Sequence, residues 1–182
     1  MKNATLSGRN LVFLTLLIAV FGLYLATGNA RAEIKELKIG IGVGADTLNP
    51  QEQTTTLFQN MCDLIYGTMF YQDPQGKLHP RLATKSTVSS DGLSYTISLR
   101  KGVKFSDGTD FNADAVKLTW DRILNPKMRV PLRFAVSMVK ECVKVDDYTV
   151  QLKLKYAFAP FTPSLSLTLV STISPAAIQK YG

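Results

Sequence analysis

The chain has 182 residues, 46% hydrophobic and 19% charged, which provides for a packed core and excludes intrinsic disorder. Its formal charge of +7 overstates the basic character of the folded part. Lys2, Arg9 and Arg31 lie in a leader-like start that holds no acid, so residues 33–182 carry 18 basic against 14 acidic side chains, a net +4. A moderate charge so dispersed, alternating on one strand face only at Lys153 and Lys155, speaks to solubility and excludes a nucleic-acid partner.

Residues 1–32 read as an export signal. Lys2 and Arg9 form a basic start, residues 11–25 are almost wholly apolar, and Ala30-Arg31-Ala32 presents small residues where a signal peptidase reads them. Cleavage is expected between Ala32 and Glu33. An uncleaved anchor is the alternative, but this run is short against the roughly 20 residues that span a bilayer. No cysteine stands at the end of this run, so a lipid anchor is not expected. Cys62 and Cys142 could pair in an oxidising compartment. Each keeps apolar company, however, and both are expected to be free buried thiols.

Beyond the leader, residues 37–43 alternate apolar and small side chains and read as a first strand, closed by Leu48-Asn49-Pro50. Leu57, Met61, Leu64 and Ile65 recur at helical spacing, and that helix should stop at Gly67. Met69-Phe70-Tyr71 opens a hairpin across Gln72-Asp-Pro-Gln-Gly76. A second hairpin joins 83–89 to 94–99 through Asp91-Gly92, with Tyr95, Ile97 and Leu99 on one face. After the turn at Asp107-Gly108, Asn112 should cap a helix whose stripe is Val116, Trp120 and Ile123, ended by Asn125-Pro126. Strands over 138–145 and 148–154 meet at Asp146-Asp147. Short helical stretches begin near Pro160 and Pro163 and again at Ser174-Pro175. The layout is α+β, with hairpins flanking helices.

Little in this inventory suits catalysis. His79 is the one histidine, placed at the end of a turn and expected at the surface. One histidine and two distant cysteines offer no metal spacing, and no cofactor is expected. No serine sits in a nucleophile motif. Gly40, Gly42 and Gly44 lack the rest of a phosphate-loop or dinucleotide pattern. The pairs Asp107/Asp110 and Asp146/Asp147 belong to turns. Trp120, Tyr66, Tyr71 and Phe134 read as core residues before pocket linings. Thr54, Thr55 and Thr56 stand apart, as three hydroxyls between a strand end and a helix start. They could meet a ligand's main chain or carboxylate near the positive end of the helix. Simple N-capping by Thr55 or Thr56 is the competing reading. The chain does not read as an enzyme.

Several motifs occur together and in order. Leu78-x-Pro80-x-Leu82-Ala83, Asp91-Gly92-x-x-Tyr95-Thr96, Leu99-Arg100-x-Gly102-Val103-x-Phe105-x-Asp107-Gly108 and Ala113-x-x-Val116 are followed by Val145-Asp-Asp-Tyr-Thr-Val150 and Ile173-Ser-Pro175. The sequence from residue 37 to the end resembles the extracellular solute-binding proteins, family 5, the peptide- and nickel-type binding proteins that feed ABC importers. It departs at Lys85-Ser86-Thr87, where the family usually has a tryptophan.

The resemblance implies the N-terminal part of a two-lobed periplasmic-binding-protein fold whose lobes close on a ligand. In that frame 33–66 supply the first strand and helix of lobe one, 67–172 a small inserted α+β subdomain, and 173–182 the start of the return to lobe one. It implies a periplasmic monomer that binds peptides, or a similar small solute, and hands them to an inner-membrane permease and its ATPase. It also shifts Thr54, Thr55 and Thr56 towards a ligand role. Members run several hundred residues further, so the chain reads as truncated, marginally stable and unable to bind tightly alone. The alternatives are an exported remnant serving as an interaction domain, and a binder of nickel or another solute.

Overall fold

The computed structural model describes residues 38, 40 and 47–181. The chain divides into two compact units, 1–43 and 44–182, and every element below belongs to the second. The export signal with its Ala32/Glu33 junction, Gly42, Gly44 and all of the expected first strand except Lys38 and Gly40 lie outside the described residues.

Helix α1 spans Thr56–Ile65. Strands β1 (Phe70–Gln72) and β2 (Leu78–Pro80) form the first expected hairpin, antiparallel with Tyr71 opposite His79. Its turn is held by Asp73, whose Oδ1 accepts from the Gln75 and Lys77 amides at 3.0 and 2.8 Å. Strands β3 (Ala83–Val88) and β4 (Ser94–Leu99) form the second hairpin. Its turn places Gly92 at φ +70°, a conformation that favours glycine. Helix α2 (Ala113–Leu124) starts as expected, with the Ala115 amide donating to Asn112 Oδ1 at 3.1 Å. A 3-10 turn at Arg133–Val136 leads into β5 (Val139–Asp146) and β6 (Thr149–Leu154). The chain then makes a short helix α3 (Phe161–Ser164), a 3-10 turn at Thr168–Val170 and helix α4 (Pro175–Tyr181).

The larger sheet runs β3-β4-β6-β5, antiparallel throughout. Period-two alternation decides its inner face. Tyr95, Ile97 and Leu99 of β4 line up with Val150 and Leu152 of β6, and Cys142 of β5 joins Leu152. Helix α2 lays Val116, Trp120 and Ile123 into this core, each no more than 1% exposed. Phe161 closes one end, edge-on to Tyr95 with ring centroids 4.7 Å apart. Cys62 and Cys142 are both buried and unpaired. Burial pushes the Cys142 thiol up to about 12.

The apolar positions that recur at helical spacing in α1 are largely exposed: Leu64 and Ile65 are 82% and 58% exposed, and Leu57 and Met61 are half-buried. The buried residues of α1 are Phe58 and Cys62. The helix carries two adjacent apolar faces, and periodicity identifies the helix without choosing between them. The aromatic group divides as well. Trp120 is core, but Tyr71 and Phe134 are exposed and Tyr66 lies at the surface of two cavities.

Candidate functional site

Residues 47–53 form a polar loop that delivers the chain to α1. Thr47 Oγ1 accepts from the Asn49 amide at 3.0 Å, and Asn49 Oδ1 accepts from the Gln51 amide at 3.1 Å. Gln53 is 2% exposed and its Nε2 donates to the Thr47 carbonyl at 2.6 Å. Gln51, 1% exposed, reaches across to α2. Its Nε2 donates to the Thr119 carbonyl at 3.2 Å and its Oε1 accepts from Arg122 Nε at 3.3 Å. The Ile173 amide donates to Thr119 Oγ1 at 3.2 Å, so the loop, α2 and the segment before α4 converge on one residue. Buried polar groups with this many partners fix a backbone path more sharply than apolar packing alone.

That path ends in Thr54, Thr55 and Thr56, all exposed. Thr55 occupies the N-cap position with extended backbone, but its side chain makes no capping bond, and the first turn of α1 holds no acid. Capping is therefore not what these hydroxyls do. The three exposed threonines at this helix start offer hydroxyl donors and acceptors, which suit carbonyl or carboxylate oxygens.

Thr54 also lines a cavity of about 270 Å³ with Thr47, Glu52, Gln53, Phe58 and Arg129. Arg129 comes from the loop after α2 and has no ion-pair or hydrogen-bond partner among the described residues. Glu52 is turned to its own loop, accepting from Asn49 Nδ2 at 2.9 Å. Thr55 and Thr56 do not line this cavity. Spacing gave no hint of Arg129, because it follows a helix stop and belongs to no periodic pattern. Gln51 and Gln53, alternating between Pro50 and the threonines, were the only local sign of a tethered loop.

The other candidates sort differently. A groove of about 730 Å³ lies between α1, the β1–β2 hairpin and residues 166–168, and it includes His79, Arg81, Tyr71 and Asp63. His79 is half-exposed, as expected of a surface residue, with Nε2 2.7 Å from Asp73 Oδ2. This pairing, together with the turn amides, holds the Asp73 carboxyl below its usual range. Asp63 Oδ1 accepts from Thr168 Oγ1 at 2.5 Å.

Asp107 has turn chemistry, accepting from the Thr109 amide and hydroxyl at 2.9 and 2.6 Å, and also accepts from the Ser174 hydroxyl. Asp110 pairs with Lys104 at 2.5 Å, and Asp147 pairs with Lys144 at 2.9 Å. The Asp146 carboxylate accepts from the Tyr148 amide at 2.8 Å. Lys153 pairs with Glu141, and Lys155 donates to the Ser137 carbonyl, so the two lysines form no free basic stripe.

Comparison with known proteins gives this geometry its setting. Residues 77–181 match the bacterial extracellular solute-binding proteins, family 5 Middle. The glutathione-binding protein GsiB of Escherichia coli K12 is 38% identical over 148 residues, covering 81% of this chain and 29% of GsiB. The chain thus spans under a third of such relatives. Among solved structures, AgaA of A. tumefaciens R10 in complex with agropinic acid aligns with TM-score 0.69 at 29% identity, over 74% of this chain and 27% of AgaA. NikA of Brucella suis in complex with Fe(III)-EDTA aligns with TM-score 0.64 at 33% identity, over 71% and 26%. The α+β architecture described above is therefore part of the periplasmic-binding-protein fold, and the chain belongs to the extracellular solute-binding proteins, family 5.

Proposed function

We propose that this chain forms part of the ligand-receiving component of an ABC importer, acting as a periplasmic monomer that passes its solute to a membrane permease and ATPase. The cargo is a peptide or a small solute of similar polarity. The observation that carries this reading is the exposed run of threonines at the start of α1. Thr54, Thr55 and Thr56 offer hydroxyls there without spending them on a cap, at the end of a loop anchored by Gln51 and Gln53. Contacts of this kind address a ligand's main chain and tolerate varied side chains. The ligands named for the relatives, glutathione, agropinic acid and Fe(III)-EDTA, all bring carboxyl groups, which suits hydroxyl, amide and guanidinium partners.

Residues 33–66 and the last residues, from 173 on, are assigned to lobe one, with 67–172 as the inserted subdomain. Residues 1–32 are assigned to a signal removed between Ala32 and Glu33. Calorimetric titration of the full-length protein carrying this chain, with glutathione and with di- to pentapeptides, tests the reading. Binding of at least one is expected. Replacing Thr54, Thr55 and Thr56 together by alanine should weaken it about tenfold, the loss of one or two net hydrogen bonds, without lowering the melting temperature. No binding across the panel overturns the solute reading, and unchanged affinity in the triple variant removes the threonines from the site. An intact mass beginning at Glu33 checks the cleavage assignment.

A further inference from the structure

Many basic side chains of the described residues are neutralised where they stand. Lys104, Lys117, Lys144 and Lys153 each pair with an acid at 2.5, 2.6, 2.8 and 3.0 Å. The pairing of β3 with β4 gathers bases that are not. Arg81 precedes β3 and Arg100 follows β4, and Arg100 Nε donates to the Arg81 carbonyl at 2.8 Å, which sets the two arginines together at one end of the sheet. Lys85 stands opposite Ser98 in the register, two positions from Arg100. Arg81, Lys85 and Arg100 are exposed, and none forms an ion pair among the described residues. Acids of the adjoining elements are already engaged: Asp63 by the Thr168 hydroxyl, Asp73 by His79 and Asp146 by the Tyr148 amide. Like charges gathered in this way repel one another and return nothing to the fold, whereas an acidic surface set against them would offset that repulsion. Arg81 also borders the groove of about 730 Å³ that carries the exposed Tyr71 and Leu167. Charged residues around an aromatic and an aliphatic anchor are the make-up of a protein interface. Three cations are fewer than the 4–8 of a typical lipid-binding cluster.

We propose that Arg81, Lys85 and Arg100, with Tyr71 and Leu167 beside them, form the surface that docks on an acidic periplasmic face of the permease. This rests on the importer reading above and names the contact by which solute would be handed over. The charges steer the encounter and the two apolar side chains hold it, so the patch acts mainly on the rate of association.

The test measures association of the full-length protein with its permease–ATPase complex in nanodiscs of neutral lipid, at about 50 and 300 mM salt. The parent should associate about tenfold faster at the lower salt. Arg81→Glu with Lys85→Glu, which removes no side-chain bond of the fold, should slow that association about tenfold or more and abolish its salt dependence. Solute affinity and melting temperature should stay unchanged. Lys127→Glu with Lys140→Glu alters net charge equally at exposed bases elsewhere, and should keep at least about half the parent's rate. Equal slowing in the two double variants would reduce the effect to net charge and overturn the proposal, as would an unchanged rate in the first. A lower melting temperature in the first variant makes the bases structural and also overturns it. Patch-dependent binding to vesicles of phosphatidylcholine and phosphatidylglycerol without the permease would give the surface to lipid instead. A parent that binds solute but not the permease removes the docking surface and leaves solute binding intact, whereas one that binds the permease but no solute does the reverse.

Discussion

At the scale of single residues, local chemistry was legible wherever a side chain's partner lies within a few positions. Asn112 was readable as a cap because its acceptor meets an amide three residues on, and Asp73, Asp91 and Asp146 each bond turn amides two residues away. Partners distant in sequence were not readable. Asp107 shows the difference, since its turn bonds to Thr109 were expected but its bond from Ser174 crosses the chain. Those bonds, that from Ser174 foremost, hold the Asp107 carboxyl below its ordinary value of 3.8. A carboxyl depressed in the folded state contributes stability that is present above its unfolded value and lost as pH falls through its folded value. Asp107→Asn should therefore melt below the parent at pH 7, and the gap should close as pH falls below about 4. Melting curves across that range check it, and a gap independent of pH would remove the carboxylate from the explanation.

At the scale of elements, the type of each was legible and its orientation only sometimes. Strands β4 and β6 alternate so regularly that one face had to be the core, and both bury that face. Helix α2 has a single apolar stripe and buries it. In α1 two apolar faces compete, and packing selected Phe58 and Cys62 over Leu64 and Ile65. The choice has a measurable signature. Phe58→Ala should cost about 3–5 kcal/mol through lost transfer energy and a cavity, whereas Leu64→Ser should stay within about 0.5 kcal/mol. Urea unfolding of the two variants decides it, and a large loss from Leu64→Ser would mean that the outward face is packed after all.

At the scale of the whole molecule, the candidate site depends on bonds that tie distant segments together. Gln51 links the loop 47–53 to α2, and Thr119 links α2 to the segment before α4. Gln51→Leu removes an acceptor from Arg122 and a donor to the Thr119 carbonyl, at a cost of about 1–3 kcal/mol. It should lower the melting temperature and also weaken solute binding, because the threonines lose their anchored approach. Thr54→Ala, by contrast, should change binding alone. Parallel melting and titration of both variants test this division, and a Gln51→Leu protein with full affinity would show that the tether does not position the site.

The linear sequence by itself determined the hairpins, the capped helix, the turn chemistry, the thin catalytic inventory and the family. All of these rest on side-chain periodicity, short-range hydrogen bonds and ordered motifs that survive without knowledge of packing. Tertiary structure alone decided which face of α1 is buried and that Arg129 shares a cavity with Thr54, 75 positions earlier in the chain. The physical reason is common to both. Each depends on which surfaces come together once the sheet and α2 have packed, and contacts between residues so far apart leave no local pattern to read.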